Sequence, residues 1–303
     1  MSEEYLFQVL TEPDRLEVRD KDSNFLALFT HGAYTVTLVG PERTFFEREE
    51  TKGDVSVQHT TWVRTHPVPF AGELDATWLE KALEANKQKV PDILAIAMQY
   101  IKGAPPIFDD NRLQIAGDAY YGPGEGGKRD EGADFNDYLE IPWSYESGED
   151  QVEPRSKFSH SLDCSGFMRI IWGYRHNFSG FGYTDNIPLA HKLSPDGTAI
   201  PRRAVNMYED APGVKVIENS GTRVSDSSFE KLRIGDLVFF DGDDNDGADI
   251  DHVGMFIGLD RNEHRFVSSR KWINGPTLSD FHGKSVLDGD GHYAKAFRAA
   301  RRL

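Results

Sequence analysis

The chain has 303 residues, a formal net charge of −16 at pH 7 and a single cysteine. Its length favours one large domain with an appendage, or two domains. The excess of acidic residues opposes binding to a nucleic-acid backbone, because that binding depends on Lys and Arg side chains. No segment approaches the length of a membrane span. One cysteine also excludes an internal disulfide, a zinc ribbon and a dithiol redox motif.

The N-terminal residues MSEEYLFQVLTEPDRLEVRD are acidic and interrupted by charges. They lack the basic start and the apolar stretch of a secretory signal. We therefore expect the protein to be cytoplasmic as synthesised, with export without a signal peptide, or delivery by a dedicated machine, as the alternatives. No feature of the sequence predicts an oligomeric state.

The first part of the chain carries short runs rich in β-branched and aromatic residues, separated by turn-forming GPE and TKGD stretches. These runs are RLEVRD, FLALFT, AYTVTLV, RTFFE and VSVQHTTWVRT. They predict a small antiparallel β-domain over residues 1–72. A connecting helix is predicted over residues 73–90, where Asp75 is a suitable N-cap and the apolar residues of DATWLEKALEANKQKV recur at helical spacing.

The remaining chain, residues 91–303, alternates apolar elements with polar stretches. PDILAIAMQYIKGAPP predicts a helix with Pro91 in its first turn. Residues 108–160 are rich in Gly, Asp and Glu, which predicts a long surface excursion. DLVFF and HVGMFIGL predict strands buried on both faces, and RFVSS completes a hairpin.

The cysteine lies in HSLDCSGFMRIIWGY, and the apolar residues that follow it recur at helical spacing. Cys164 is therefore expected at the N-terminus of a helix. There the unpaired backbone N–H groups and the positive end of the helix dipole favour the thiolate, and the same N–H groups could form an oxyanion hole. The alternative is an inert buried thiol.

A nucleophilic thiol requires a base, which is normally a histidine placed beside it by the fold. His252 begins the predicted strand HVGMFIGL, where a buried strand would hold the ring rigidly. The alternative is a surface or capping histidine at a strand start.

Three motifs in order, LDCSGF, LRIGDLVFF and HVGMFIG, resemble the NlpC-type family of bacterial cell-wall cysteine peptidases. The resemblance extends through DILAIAMQYIKGAPP, IPRRAVNMYED and AKAFRAARRL and covers roughly residues 90–303. It implies an α+β fold with a circularly permuted papain-like peptidase domain over residues 91–303, enlarged by long insertions. The preceding β-domain would then resemble the SH3-like wall-binding modules common in such enzymes.

The resemblance also implies an activity and a site. Cys164 would be the nucleophile and His252 its general base. Asp163 and Ser165 fall on positions that line the pocket for the free amino end of a peptidoglycan stem peptide. The implied reaction is hydrolysis of an amide in that peptide, after a γ-linked D-glutamate, with no cofactor. The alternatives are a catalytically weak wall-binding or scaffold protein of the same fold, and a thiol acyltransferase.

The sequence departs from the family at two positions. The third catalytic residue is usually His, Asn or Gln, whereas RFVSSR places Ser268 there, with His264 as the rival for orienting His252. The family's tyrosine before the cysteine is also displaced, and Tyr120 and Tyr121 are its predicted substitutes.

The acidic stretch DGDDNDGADID, residues 241–251, is not an EF-hand. Counted from Asp241, its sixth position is Asp246 instead of Gly, and its twelfth is His252 instead of Glu. We therefore expect a solvated turn and no metal site.

Overall fold

The computed structural model describes residues 5–48, 54–144, 153–175, 186–191, 196–242 and 249–303. Within them the fold is mixed helix and sheet, in agreement with the predicted α+β class. Among the described residues, no helix has the length and apolar character that crossing a membrane requires.

The N-terminal sheet is antiparallel, with its strands in chain order. The strands are β1 (Leu6–Leu10), β2 (Arg15–Arg19), β3 (Phe25–Thr30), β4 (Thr35–Glu47) and β5 (Val55–Thr65). The predicted β pattern is confirmed, with two differences. The runs AYTVTLV and RTFFE form one long strand, β4, which contains an irregularity between Val39 and Arg43, and β1 was not predicted.

Two helices follow this sheet. The first, α1 (Ala76–Lys87), has the predicted cap, since Asp75 accepts a hydrogen bond from the Trp78 backbone N–H at 2.9 Å. The second, α2 (Ile93–Ala97), is capped by Asp92, so the prediction that Pro91 lies in its first turn is wrong. The Asp92 carboxylate fits the cap position because it accepts from Ala95 N–H at 3.0 Å and also binds Arg43.

The C-terminal sheet is also antiparallel, with the order β12-β11-β10-β9-β13-β8. Its strands are β8 (Val214–Ile217), β9 (Leu237–Phe240), β10 (His252–Asp260), β11 (Glu263–Arg270), β12 (Gly275–Thr277) and β13 (Phe297–Arg302). A small ladder pairs β6 (Ile107–Phe108) with β7 (Gln114–Ala116). The strands predicted from DLVFF, HVGMFIGL and RFVSS are confirmed.

The other helices are short. They are α3 (Phe135–Tyr138), α4 (Cys164–Arg169), α5 (Ala204–Asp210) and α6 (His292–Ala296), and α4 continues as a π-helical turn over Ile170–Tyr174. The prediction that residues 108–160 form only a surface excursion is wrong at α3, whose Phe135 and Tyr138 are fully buried. Acidic residues are tolerated there because they are paired: Asp137 binds Arg155 at 2.6 Å.

Both sheets contribute to the largest of three apolar clusters among the described residues. Val57 and Val63 of β5 belong to the same buried cluster as Phe167 of α4 and Met255 of β10. The backbones also meet, since Thr35 N–H donates to the Leu303 carbonyl at 2.7 Å. The N-terminal sheet is thus packed against the elements that carry the predicted site, and the boundaries at residues 72 and 90 remain predictions.

Candidate active site

Cys164 is the first residue of α4, so the predicted helix start is confirmed. The side chain of the preceding Asp163 caps the helix by accepting from Gly166 N–H at 2.8 Å. The thiol is only 2% exposed, and its Sγ lies 4.0 Å from the Asp251 carbonyl oxygen. The backbone N–H of Val253 also hydrogen-bonds to the sulfur. Sγ therefore packs on the backbone that flanks His252 on both sides.

The motif glycines allow this close packing. A Cβ at Gly166 would collide with the Ala133 carbonyl oxygen, so DCSG requires glycine where α4 approaches residues 133–134. A Cβ at Gly254 would lie 2.9 Å from the Val267 oxygen and 3.2 Å from Ser268 Cβ. Glycine in HVG thus lets β11 approach β10 closely beside His252.

The electrostatic surroundings of Cys164 favour the protonated thiol. Burial raises its pKa well above the ordinary range, and the nearby carboxylates of Asp163 and Glu131 raise it further. The N–H of Val253 and the Arg202 guanidinium lower it, but their effect is smaller. The expectation that the helix start favours the thiolate is therefore wrong for the free protein. Burial and two negative charges raise the thiol pKa by more than one short helix can lower it.

His252 is the first residue of β10 and is half-buried. Its ring lies 5.4 Å from the Tyr293 ring and 5.8 Å from the Phe240 ring, between centroids. Its Nε2 is 3.1 Å from Oγ of Ser268, which is fully buried in β11. The structure thus brings together the two residues that the sequence proposes as base and orienting partner.

The pKa of His252 is lowered to about 3. Burial is the main cause, and the positive charges of Arg270 and Lys271 add to it. The imidazole is therefore neutral at neutral pH, as a general base must be, but its basicity is weak in this state.

His264 does not approach His252. It pairs with Leu259, seven residues along β10, which corresponds to a separation of roughly 20 Å. Its Nδ1 is 2.9 Å from Asp288 Oδ1, and its ring contacts the rings of Phe229 and Phe256.

Asp163 and Ser165 are both buried and engaged by one arginine. Arg202 Nη2 donates to Asp163 at 2.7 Å, and its Nη1 donates to Ser165 Oγ at 2.5 Å. Ser165 Oγ also donates to Asp163 at 3.1 Å. Their role in binding a substrate amine stays a prediction, and such an amine would have to compete with Arg202, which the sequence did not identify.

The two predicted tyrosines occupy different environments. Tyr120 is 52% exposed, and its backbone pairs with the segment just before the cysteine, accepting from Leu162 N–H at 2.7 Å. Tyr121 is buried, and burial, followed by the neighbouring Cys164 and Asp163, raises its pKa. Tyr121 is thus the tyrosine that lies near the thiol.

A cleft of about 460 Å³ opens beside His252. Its volume falls within the range of small-ligand sites. It is lined by Tyr121, Gly127, Glu131, Gly242, Asp251, His252, Arg270, Lys271, Trp272, His282, His292 and Tyr293. Cys164, Asp163, Ser165 and Ser268 are not among the lining residues. Of its charged residues, Arg270 ends RFVSSR and Asp251 ends the acidic stretch, but the sequence assigned neither to the site, and Glu131 and Lys271 belong to no motif.

The acidic stretch 241–251 is described only at its two ends. Gly242 N–H donates to the Asp251 carboxylate at 3.1 and 3.0 Å, and Asp241 pairs with Arg298 at 3.0 Å. Residues 243–248, including Asp246, lie outside the described residues. Within the described part of the chain, no group of three or more His, Cys, Asp or Glu side chains is arranged to hold a metal ion.

No protein-family model matches the chain, and no curated protein matches it. Among solved structures, it is similar to an NlpC/P60 family protein from Bacillus cereus, at 15% identity and a TM-score of 0.29 over 98% of this chain and 78% of that one. It is also similar to NlpC1 from Trichomonas vaginalis, at 15% identity and a TM-score of 0.28 over 95% of this chain and 76% of that one. NlpC2 from the same organism is similar at 14% identity and a TM-score of 0.27, over 95% of this chain and 80% of that one. At this distance the likeness assigns neither a family nor an activity to the chain.

Proposed function

We propose that the protein is a cysteine hydrolase that cleaves an amide in peptidoglycan stem peptides, after a γ-linked D-glutamate. One observation carries the proposal: Cys164 Sγ packs against the backbone on both sides of His252, whose Nε2 lies 3.1 Å from Ser268 Oγ beside a cleft. The order of the motifs LDCSGF, GDLVFF and HVG supports the assignment to this substrate class.

In the proposed reaction, His252 removes the thiol proton and Sγ attacks the amide carbonyl carbon. The backbone N–H of Cys164 lies outside the helical hydrogen-bond ladder and would donate to the oxyanion. The C–N bond then breaks, and the amine leaves with the proton from the imidazolium. Water, deprotonated by His252, then attacks the thioester carbonyl carbon. The C–S bond breaks, the carboxylate product leaves, and the imidazolium returns its proton to Sγ.

The same proposal includes a permuted papain-like arrangement. It is supported by the packing of α4, which carries Cys164, against β10 and β11, which carry His252 and Ser268. We propose a wall-binding role for the N-terminal sheet by its position and strand pattern, and a cytoplasmic location as synthesised.

The test is incubation with defined muropeptides, followed by mass spectrometry of the products. We expect cleavage by the wild type and none by Cys164→Ser, with identical folding by circular dichroism. An added primary amine should leave the product a free carboxylate; a new amide product would instead identify an acyltransferase. No cleavage of any stem peptide would contradict the proposal.

A scaffold role is the second candidate, because the thiol is 2% exposed, does not line the cleft and has a raised pKa that keeps it protonated. Calorimetry and product analysis on the same muropeptides distinguish the two functions. Binding without turnover would favour a scaffold, whereas turnover would show that substrate binding makes the buried thiol accessible.

A further inference from the structure

Arg270, the last residue of β11, is a buried cation with an incomplete set of partners. It is 2% exposed, and it donates to the carbonyl oxygens of Gly283 at 2.5 Å and Ser279 at 3.0 Å. Its Nε has no hydrogen-bond partner among the described residues. The guanidinium also lies 5.4 Å from the centroid of the Tyr293 ring, but burial raises the pKa of that tyrosine, so it supplies no negative charge at neutral pH.

The carboxylates that line the cleft act on a different cation. Glu131 pairs with Lys271 at 2.6 Å, and Asp251 also raises the pKa of Lys271. Arg270 pairs with no carboxylate of the described residues, and its partners are neutral: two carbonyl oxygens and the Tyr293 hydroxyl. A buried guanidinium without an anionic partner is unfavourable. The cleft therefore lacks a negative charge beside Arg270.

This uncompensated charge lies beside the proposed base. Arg270 and His252 line the same cleft, and the two cations of that cleft, Arg270 and Lys271, both lower the pKa of His252. A carboxylate bound at Arg270 would offset them and restore basicity to the imidazole. A ligand that supplies the missing negative charge would therefore also raise the basicity of His252.

We propose that Arg270 binds a free carboxylate of the substrate, and that this group is the α-carboxylate of a γ-linked glutamyl residue on the acyl side of the scissile amide. The inference rests on the proposed function and specifies its substrate. In a γ-glutamyl amide the α-carboxylate remains free close to the scissile carbonyl, whereas an α-linked peptide bond consumes it. An arginine fork is suited to binding such a carboxylate through two hydrogen bonds.

The test uses two stem peptides that differ only at this group, one with the free α-carboxylate and one with an α-carboxamide. For the wild type we expect kcat/KM to be about 10- to 100-fold higher for the carboxylate, as for a charge-assisted hydrogen bond. Arg270→Gln should reduce the ratio to about threefold or less, and Arg270→Lys should keep part of it. Arg223→Gln, an exposed change at a residue that pairs with Asp226, is the matched control and should keep the full ratio.

The ratio is internal to each variant, so a general loss of activity does not affect it. If Arg270→Gln does not fold, calorimetry on Cys164→Ala with the same two peptides replaces it, and equal affinities would overturn the inference. Equal cleavage of both peptides by the wild type would overturn the inference and leave the proposed function intact. Cleavage of neither would instead overturn the proposed function. A preference that survives in folded Arg270→Gln would overturn the assignment to Arg270.

Discussion

The two sides of the site differ in how their charges are satisfied. On the side of α4, Asp163 is fully engaged by Arg202, at 2.7 Å, and by the helix N-terminus. On the strand side, Arg270 has only neutral partners among the described residues, two carbonyl oxygens and the Tyr293 hydroxyl. The nucleophile thus sits in a complete network, whereas the base sits beside an incomplete one.

This difference indicates which side is fixed and which responds to a ligand. A satisfied buried network holds its members in one arrangement, because each displaced group would lose its partners. An unsatisfied cation costs stability in the free protein and is compensated only when an anion arrives. We therefore infer that the position of Cys164 is fixed by the fold, while the basicity of His252 depends on what occupies the cleft.

Removing the nucleophile should have the largest effect. We expect Cys164→Ser to lower kcat by at least about 1,000-fold, because a hydroxyl is a far weaker nucleophile than a thiol without a strong base. The swap is nearly isosteric, so the melting temperature should change little. Rates from stem-peptide cleavage and a thermal melt check both parts, and appreciable residual turnover would rule out Cys164 as the nucleophile.

Removing the base should be nearly as severe. We expect His252→Ala to lower kcat/KM by about 100-fold or more, since general-base catalysis contributes on this scale. A loss below about tenfold would point to another histidine.

The same variant tests the electrostatics of the base side. Because the pKa of His252 is lowered to about 3, the unfolded chain takes up a proton below its ordinary pKa of about 6.5 while the folded chain does not. The free energy of unfolding should therefore fall as the pH drops from about 6.5 towards 3. In His252→Ala this part of the decline should vanish, whereas the control His31→Ala, at an exposed histidine, should keep it. Urea titrations across this pH range provide the measurement.

The orienting residue should matter less. We expect Ser268→Ala to lower kcat by about tenfold or less, because it removes one neutral hydrogen bond to the ring. His264→Ala should leave kcat unchanged, since His264 binds Asp288 at the far end of the hairpin. A loss of about a hundredfold in His264→Ala, with Ser268→Ala unaffected, would reverse the assignment. Ser268→His and Ser268→Asn are expected to disturb the fold, because Ser268 is fully buried.

The elements that carry Cys164 and His252 were predictable because their signals are local. Helical spacing placed Cys164 at a helix start, and an unbroken apolar run placed His252 at the start of a strand. The surroundings of His252 in the cleft were not predictable, since Arg270 and His292 come from separate elements and share no motif. Arg202 was missed for the same reason, although it determines how Asp163 is used.

The raised pKa of Cys164 could not be predicted from sequence either. It results from burial and from Asp163 and Glu131, and Glu131 lies 33 residues before the cysteine in a stretch predicted to be surface. The local sequence indicated only the helix dipole, which lowers the thiol pKa. Burial and a charge from a distant part of the chain therefore keep the Cys164 thiol protonated.

The smallest expected effect tests this long-range charge. Glu131→Gln removes a carboxylate that raises the pKa of Cys164 and also frees the Lys271 ammonium, 2.6 Å away, to act on the thiol unopposed. Both changes lower the thiol pKa, so alkylation by iodoacetamide at neutral pH should quicken by about three- to tenfold, with the rate profile shifted to lower pH. Glu125→Gln, an exposed change in the same loop, should leave the alkylation rate unchanged. If Glu131→Gln reacts at the wild-type rate, the charge of Glu131 does not affect the thiol pKa, and burial with Asp163 accounts for its rise.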